Sequence, residues 1–266
     1  MTISHKPRKR FGQNFLVDQQ IIDQIVSAID ANSNDNLIEI GPGTGAITKH
    51  LVKLCPKMSL IELDRDLIEI LKNNFIDLQD LKISNMDALK TDFSQFYDGR
   101  KLRLVGNLPY NISTPLLFHL LTVGHLIQDM HFMLQREVVD RMNAIPGEKS
   151  YGRLSVMIQY NCRVMPLIPV PPESFSPAPK VQSAVVRLKP YSQKPFIASD
   201  EILLSTIVKL CFQQRRKTLR NCLRPYDSYS SSIGQVIDLT SRPEELSIRD
   251  FVDITNIINQ LKDKDL

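Results

Sequence analysis

Leu37-Ile-Glu39-Ile40-Gly41-Pro-Gly43-Thr-Gly45-Ala46 joins a short apolar run to three closely spaced glycines. An apolar run that short, bounded by glycine, reads as a buried strand, and glycine at its end permits a tight turn and lets a ligand approach the backbone. The chain has ten glycines in 266 residues, so three of them within positions 41–45 make a concentrated turn signal. Outward from this turn, Ile21, Ile22, Ile25, Val26 and Ile29 recur at helical spacing on one side, and Leu67, Ile68 and Leu71 on the other. Between and beyond them, Met58–Leu63, Leu81–Met86, Leu102–Gly106 and His131–Leu134 read as further β-rich runs. Strands alternating with amphipathic helices predict an α/β fold built on a mostly parallel, doubly wound sheet, with the apolar stripes serving as core.

Composition narrows the function classes. At 42% hydrophobic and 23% charged residues, the chain can bury a substantial core and is not a disordered composition. Mean hydropathy is −0.15, and no apolar run approaches the roughly 20 residues a spanning helix needs. The basic N-terminus, Met1 to Arg10, has no apolar stretch behind it, so a cytoplasmic location is expected rather than a membrane or secreted one. Cys55, Cys162, Cys211 and Cys222 show no Cys-x-x-Cys spacing, which favours buried thiols over a zinc site or a disulfide framework. No metal is expected.

Eight of the 16 prolines fall between Pro166 and Pro195, which forbids a long helix there and favours extended strands and fixed loops. Val181–Leu188 reads as a closing strand, whereas Ile202–Phe212 and Ile248–Leu261 read as amphipathic helices. Two domains are therefore expected, residues 1–190 and a small helical domain over 191–266. The net charge of +4 is unevenly spread, since residues 160–224 carry 11 basic side chains against 3 acidic ones. Arg215, Arg216, Lys217, Arg220 and Arg224 form the densest cluster, and Lys6, Arg8, Lys9 and Arg10 a second. Both are candidate phosphate contacts, against the alternative of solvated faces.

Glu62 lies 21 residues past Gly41, at the end of the second strand of the βαβ unit, where a carboxylate can accept hydrogen bonds from both hydroxyls of a ribose. A ribose-bearing cofactor follows. Gly41, Gly43 and Ala46 also satisfy the dinucleotide fingerprint, so a nicotinamide-dependent oxidoreductase stays open on the glycines alone. Asn85-Met86-Asp87-Ala88 separates the two, because it puts a carboxylate at the end of the third strand, where the exocyclic amine of an adenine could donate to it.

After the fourth strand comes Gly106-Asn107-Leu108-Pro109-Tyr110-Asn111. It resembles the Asn-x-Pro-Tyr box of amine-directed N-methyltransferases that act on nucleic-acid bases. An aryl amine is a poor nucleophile because its lone pair is delocalised into the ring. The amide oxygen of Asn107 and the carbonyl of Leu108 can accept the two amine protons and favour a pyramidal nitrogen. Pro109 stiffens that array, and Tyr110 offers a face on which an extruded base can stack. A turn around Pro109 with a core tyrosine is the plainer reading of the same four residues.

Taken together the segments resemble the ribosomal RNA adenine N6-dimethyltransferases over nearly the whole chain. The resemblance extends to Arg10-Phe-Gly-Gln-Asn-Phe-Leu16, His131-Phe-Met-Leu-Gln-Arg-Glu-Val-Val139, Tyr151-Gly-Arg-Leu-Ser155, the run from Pro171 to Ser183, and Arg215-Arg-Lys-Thr-Leu-Arg-Asn221. It implies a Rossmann-like class I S-adenosylmethionine-dependent methyltransferase sheet with an all-helical C-terminal RNA-binding domain. It implies S-adenosylmethionine as methyl donor, held by Asn14, Leu16, Gly41, Gly43, Glu62, Asp87, Ala88 and Asn107. It assigns chemistry to Asn107, Leu108, Pro109 and Tyr110, with Phe175 covering the second face of the adenine, and RNA contact to Arg8, Lys9, Arg10, Arg215, Arg216, Lys217 and Arg220. The implied substrate is a pair of adjacent adenosines near the 3′ end of 16S rRNA within an assembling small subunit, dimethylated on N6, a modification whose loss in this family goes with kasugamycin resistance. No partner subunit is implied. The large-subunit methyltransferases of macrolide resistance share the glycine turn and the Asn-x-Pro-Tyr box; Leu108 and the Arg215–Asn221 run favour the small-subunit branch. A noncatalytic RNA-binding assembly factor is the third alternative, and the intact Asn107–Tyr110 box argues against it.

Overall fold

The computed structural model describes residues 13–214 and 216–262. In chain order the first part runs β1 (Phe15–Leu16), α1 (Gln19–Ile29), β2 (Asn36–Ile40), α2 (Thr48–Leu54), β3 (Ser59–Glu62), α3 (Arg65–Asn74), β4 (Lys82–Asn85), β5 (Leu102–Asn107), α4 (Ser113–Leu121) and β6 (Ile127–Gln135). It continues through α5 (Arg136–Asn143), α6 (Arg153–Asn161), β7 (Cys162–Val170), β8 (Phe175–Ser176) and β9 (Ser183–Pro190). The remainder is helical, with α7 (Glu201–Phe212), α8 (Leu219–Cys222), α9 (Ser230–Gly234) and α10 (Ile248–Lys262).

Seven strands form one sheet in the order β4-β3-β2-β5-β6-β9-β7. The first five are parallel, and β9 runs antiparallel to β6. This is the expected doubly wound α/β architecture, and its strand order reverses between β2 and β5, where open α/β sheets bind ligands at the carboxyl ends of their strands. Continuous burial of Leu37 to Ile40 and of Ser59 to Glu62 follows from helices covering both faces. Pro166 and Pro169 sit on β7, the terminal strand of the order, where a missing N–H costs least.

α1 starts at Asp18, whose carboxylate accepts from the N–H groups of Gln20 and Ile21, and it buries Ile21, Ile22, Ile25 and Ile29. β6 is longer than the expected His131–Leu134 because its first half carries Asp129, a carboxylate that hides the strand in the sequence. Arg103, its neighbour on β5, donates to Asp129 from Nε at 3.0 Å and to Asp35 from Nη1 at 2.6 Å, and Arg187 donates to Asp129 at 2.7 Å. Burial works against the charged form of Asp129, but these guanidinium groups hold its carboxyl below the usual range.

The chain divides into two compact units, 1–139 with 164–190, and 140–163 with 191–266. Residues 140–163, expected with the first domain, thus pack with the C-terminal helices. The reason lies in long-range contacts: Tyr151 donates to the carbonyl of Leu246 at 2.9 Å and meets Phe212 edge-on, and the N–H of Gly147 donates to the carbonyl of Glu244 at 2.7 Å. The four cysteines are buried.

Candidate active site

Parallel register brings the carboxyl ends of four strands side by side. Ile40 pairs with Ile61 and Glu62 with Asn85, while Glu39 pairs with Val105. Gly41, Glu62, Asp87 and Asn107 therefore emerge at one edge, around a cavity of about 320 Å³ lined by residues of the first unit. A volume of this size suits a nucleoside-sized ligand.

The glycine turn has positive φ at Gly41, Gly43 and Gly45 (67°, 61° and 89°), a conformation that disfavours any side chain. Its approach to β3 is fixed by the Gly41 N–H donating to the Ile61 carbonyl at 2.9 Å. Glu62 is 8% exposed. Its Oε1 accepts from the N–H groups of Leu63 and Asp64 at 2.8 and 2.9 Å, and its Oε2 from Gly43 at 3.3 Å. Burial raises its pKa despite those three donors. Asp87 accepts from the Leu89 N–H through Oδ1 at 3.0 Å, and Ala88 beside it is buried.

Glu39 is a site residue the sequence reading passed over. It is buried on the cavity wall, accepts from the Thr48 hydroxyl at 2.7 Å, and is pushed up to about 7, chiefly by burial and also by the charge of Glu62. Its signal was its place inside the first strand's apolar run, a poor place for a carboxylate without a task. Leu63 was also missed; it lines the cavity beside Glu62 and leaves 48% of its surface exposed.

Asn107 ends β5, and its Nδ2 donates to the backbone carbonyl of Asn14 at 3.0 Å. That bond orients the amide, leaving Oδ1 as the acceptor. Leu108 is tied to β6 by its N–H donating to the Met133 carbonyl at 3.2 Å. Pro109 accepts from the N–H of Ile112 at 3.1 Å, closing a turn, and the half-buried Tyr110 follows it. Tyr110 bonds through its hydroxyl to Ser183 at 2.7 Å, and burial raises its pKa.

Asn14 and Leu16 reach the same cavity from the N-terminal segment. Gln13 donates to Asp64 at 2.9 Å, Phe15 lies 3.1 Å from where a Cβ on Gly43 would stand, and Leu16 pairs with Phe175 in a two-stranded antiparallel ladder. Phe175 is not part of the cavity lining. It is 4% exposed and packs with Leu16 into the cluster around α1.

Of the expected RNA contacts, Arg216, Lys217 and Arg220 are exposed around the start of α8, and none pairs with a carboxylate among the described residues. Arg8, Lys9, Arg10 and Arg215 lie outside the described residues. Among those described, no group of His, Cys, Asp and Glu could hold a metal ion, and no helix is long and apolar enough to cross a membrane.

An open sheet with a glycine turn after its central strand, acids ending the next two strands and an Asn-Leu-Pro-Tyr segment ending the fourth defines a Rossmann-like methyltransferase acting on amino nitrogen. Residues 4–260 match the family model for ribosomal RNA adenine dimethylase, and the chain belongs to that family. It is 56% identical over 255 residues to the ribosomal RNA small subunit methyltransferase A of Saccharophagus degradans, covering 96% of this chain and 95% of that one. The protein of that name in Pseudomonas putida is 49% identical over 261 residues, covering 98% and 97%. Among solved structures, a dimethyladenosine transferase from Plasmodium falciparum superposes with a TM-score of 0.81 at 27% identity, covering 95% of this chain and 98% of that one. The 23S rRNA methyltransferase ErmE shares the fold, with a TM-score of 0.68 at 20% identity over 94% of this chain and 100% of that one. The chain is thus an rRNA adenine dimethyltransferase, and family and fold together imply use of S-adenosylmethionine.

Proposed function

We propose that this enzyme transfers methyl groups from S-adenosylmethionine to N6 of two adjacent adenosines near the 3′ end of 16S rRNA, in an assembling small ribosomal subunit. Relatives at 49–56% identity carry the small-subunit name. The residues fit the cofactor. Two buried carboxyls, Glu39 and Glu62, line one cavity; burial raises the cost of ionising both, and the charge of Glu62 adds to that of Glu39, a cost that a cationic ligand relieves. Glu62 keeps acceptor capacity on Oε2 for a ribose hydroxyl, and Asp87 has Oδ2 for an adenine amine. Asn14, Leu16, Gly41, Gly43 and Ala88 complete the wall.

The observation that carries the reading is the bond from Asn107 Nδ2 to Asn14. It presents Oδ1 to the incoming amine, and Oδ1 together with the Leu108 carbonyl accepts the two N6 protons. With both protons held there, the N6 lone pair would be free to face the methyl group that bound S-adenosylmethionine would supply. S-adenosylmethionine supplies a methyl group on an excellent leaving group, so the protein contributes positioning and hydrogen-bond preorganisation rather than a strong base. The displaced proton passes to solvent. Tyr110 stacks on the base, Pro109 stiffens the turn, and Phe175 acts through its strand partner Leu16.

The first unit holds cofactor and chemistry; the helices of 191–266, joined by residues 140–163, bind RNA through Arg215, Arg216, Lys217 and Arg220, with Arg8, Lys9 and Arg10 as a second contact. The enzyme works in the cytoplasm as a monomer. The test is transfer of labelled methyl to small subunits lacking the modification, with large subunits and naked RNA in parallel and nucleoside analysis of the product. Dimethyladenosine confined to small subunits is expected. Label in large subunits, or none anywhere, overturns the assignment.

A further inference from the structure

Tyr110 is held at both ends. Its carbonyl accepts from the Ser113 hydroxyl at 3.1 Å, at the start of α4, and its phenolic hydroxyl meets Ser183 Oγ at 2.7 Å. Ser183 is 1% exposed and opens β9, where it pairs with Gln135 of β6, and the adjacent Gln182 carbonyl accepts from the Arg136 N–H at 2.9 Å. A tyrosine with a free hydroxyl can rotate about two side-chain bonds, whereas one anchored at its far end presents its ring plane in a fixed orientation. The anchor comes from within the proline-rich stretch, 73 residues away in sequence, and not from the turn that carries the tyrosine.

We propose that Ser183 is a positioning residue for methyl transfer: it fixes the ring plane of Tyr110 on which the target adenine stacks. Buried in the sheet yet bonded to a side chain at the cavity mouth, Ser183 sets the angle at which the amine meets Asn107 without touching cofactor or base. The inference rests on the proposed stacking role of Tyr110. It predicts that losing the Ser183 hydroxyl and losing the Tyr110 hydroxyl have one and the same effect.

The experiment compares the full-length enzyme with Ser183→Ala, Ser183→Thr, Tyr110→Phe and the Ser183→Ala/Tyr110→Phe pair on small subunits lacking the modification, with cofactor Kd and melting temperature recorded for each. Loss of one neutral hydrogen bond should lower kcat roughly three- to tenfold in Ser183→Ala and equally in Tyr110→Phe. The double variant should be no worse than either single one, the cofactor Kd should stay within twofold of wild type, and Ser183→Thr should restore most of the rate. Unchanged kcat in Ser183→Ala, losses that multiply in the double variant, or a drop tracking cofactor Kd instead of kcat would overturn the proposal. Should Ser183→Ala fail to fold, Tyr110→Phe decides, since a wild-type rate there shows that the anchor is idle. Wild-type enzyme that methylates no adenosine defeats the functional reading itself, an outcome distinct from active wild type with an unaffected Ser183→Ala.

Discussion

At the scale of single residues, the proposed mechanism rests on one amide. Asn107 is neutral and needs no perturbed pKa; in that mechanism what matters is which of its two amide atoms faces the amine, and the Asn14 carbonyl, 3.0 Å from Nδ2, decides that. Asn107→Ala should therefore reduce kcat roughly 100-fold or more while weakening cofactor binding less than tenfold, as expected when a preorganised polar group acts mainly in the transition state. Single-turnover methyl transfer and equilibrium dialysis separate the two, and unchanged turnover would remove the lone-pair argument. The sequence named Asn107, Glu62 and Asp87 because each sits at or just past the end of its own strand, in a motif of a few residues that is local information. It did not name Ser183 or the Asn14 carbonyl as partners, because they lie 73 and 93 residues from the groups they hold.

Among the elements, the contact of β2 with β5 sets the geometry of the site. A Cβ on Gly106 would stand 2.3 Å from the Ile40 carbonyl oxygen, backbone that cannot move without parting the two strands. Gly106→Ala should cost about 3 kcal/mol or more. Gly99→Ala, at φ 96° with open space around it, should cost only about 1 kcal/mol through backbone strain. Urea unfolding of the two variants provides the comparison, and equal midpoints would refute the packing argument. Periodicity located β2, β3, β4 and β5 to within a residue or two. It understated β6, where Asp129 is tolerated only because Arg103 and Arg187 reach it. It also missed the affiliation of residues 140–163, whose aromatic and backbone partners are some 60 to 100 residues downstream.

At the scale of the whole molecule, charge sets a pH dependence of stability and carries the proposed capture of RNA. Glu39 rises from 4.5 to about 7 on folding, so its contribution is present below pH 4.5 and lost as pH rises through 7. Buried His131, whose Nδ1 is 3.9 Å from Asp129, falls from 6.5 to about 4, chiefly through desolvation, so its contribution is present above pH 6.5 and lost as pH falls through 4. The two oppose each other between about pH 4.5 and 6.5, each amounting to a few kcal/mol at about 1.4 kcal/mol per pKa unit. The stability of wild type minus Glu39→Gln should decline from pH 5 to 7.5, and that of wild type minus His131→Asn should decline from pH 7 to 5. Denaturant midpoints across pH would show this, and parallel curves would contradict it. Replacing Arg216, Lys217 and Arg220 by Gln should weaken particle binding and flatten log K against log salt by roughly 0.7–0.9 for each phosphate no longer neutralised, with cofactor affinity unchanged. An unaltered slope would make the loop a solvated face.

By itself the sequence determined the fold class and singled out Glu62, Asp87, the Asn107–Tyr110 tetrapeptide and the basic run, because each is written in turn chemistry or in a periodicity confined to a few tens of residues. Only the tertiary structure decided that Phe175 is packed with Leu16, that Glu39 shares the cavity, and that Ser183 holds Tyr110. Those facts depend on strand order and register, which bring distant side chains within hydrogen-bonding distance and leave no trace in the spacing of neighbours.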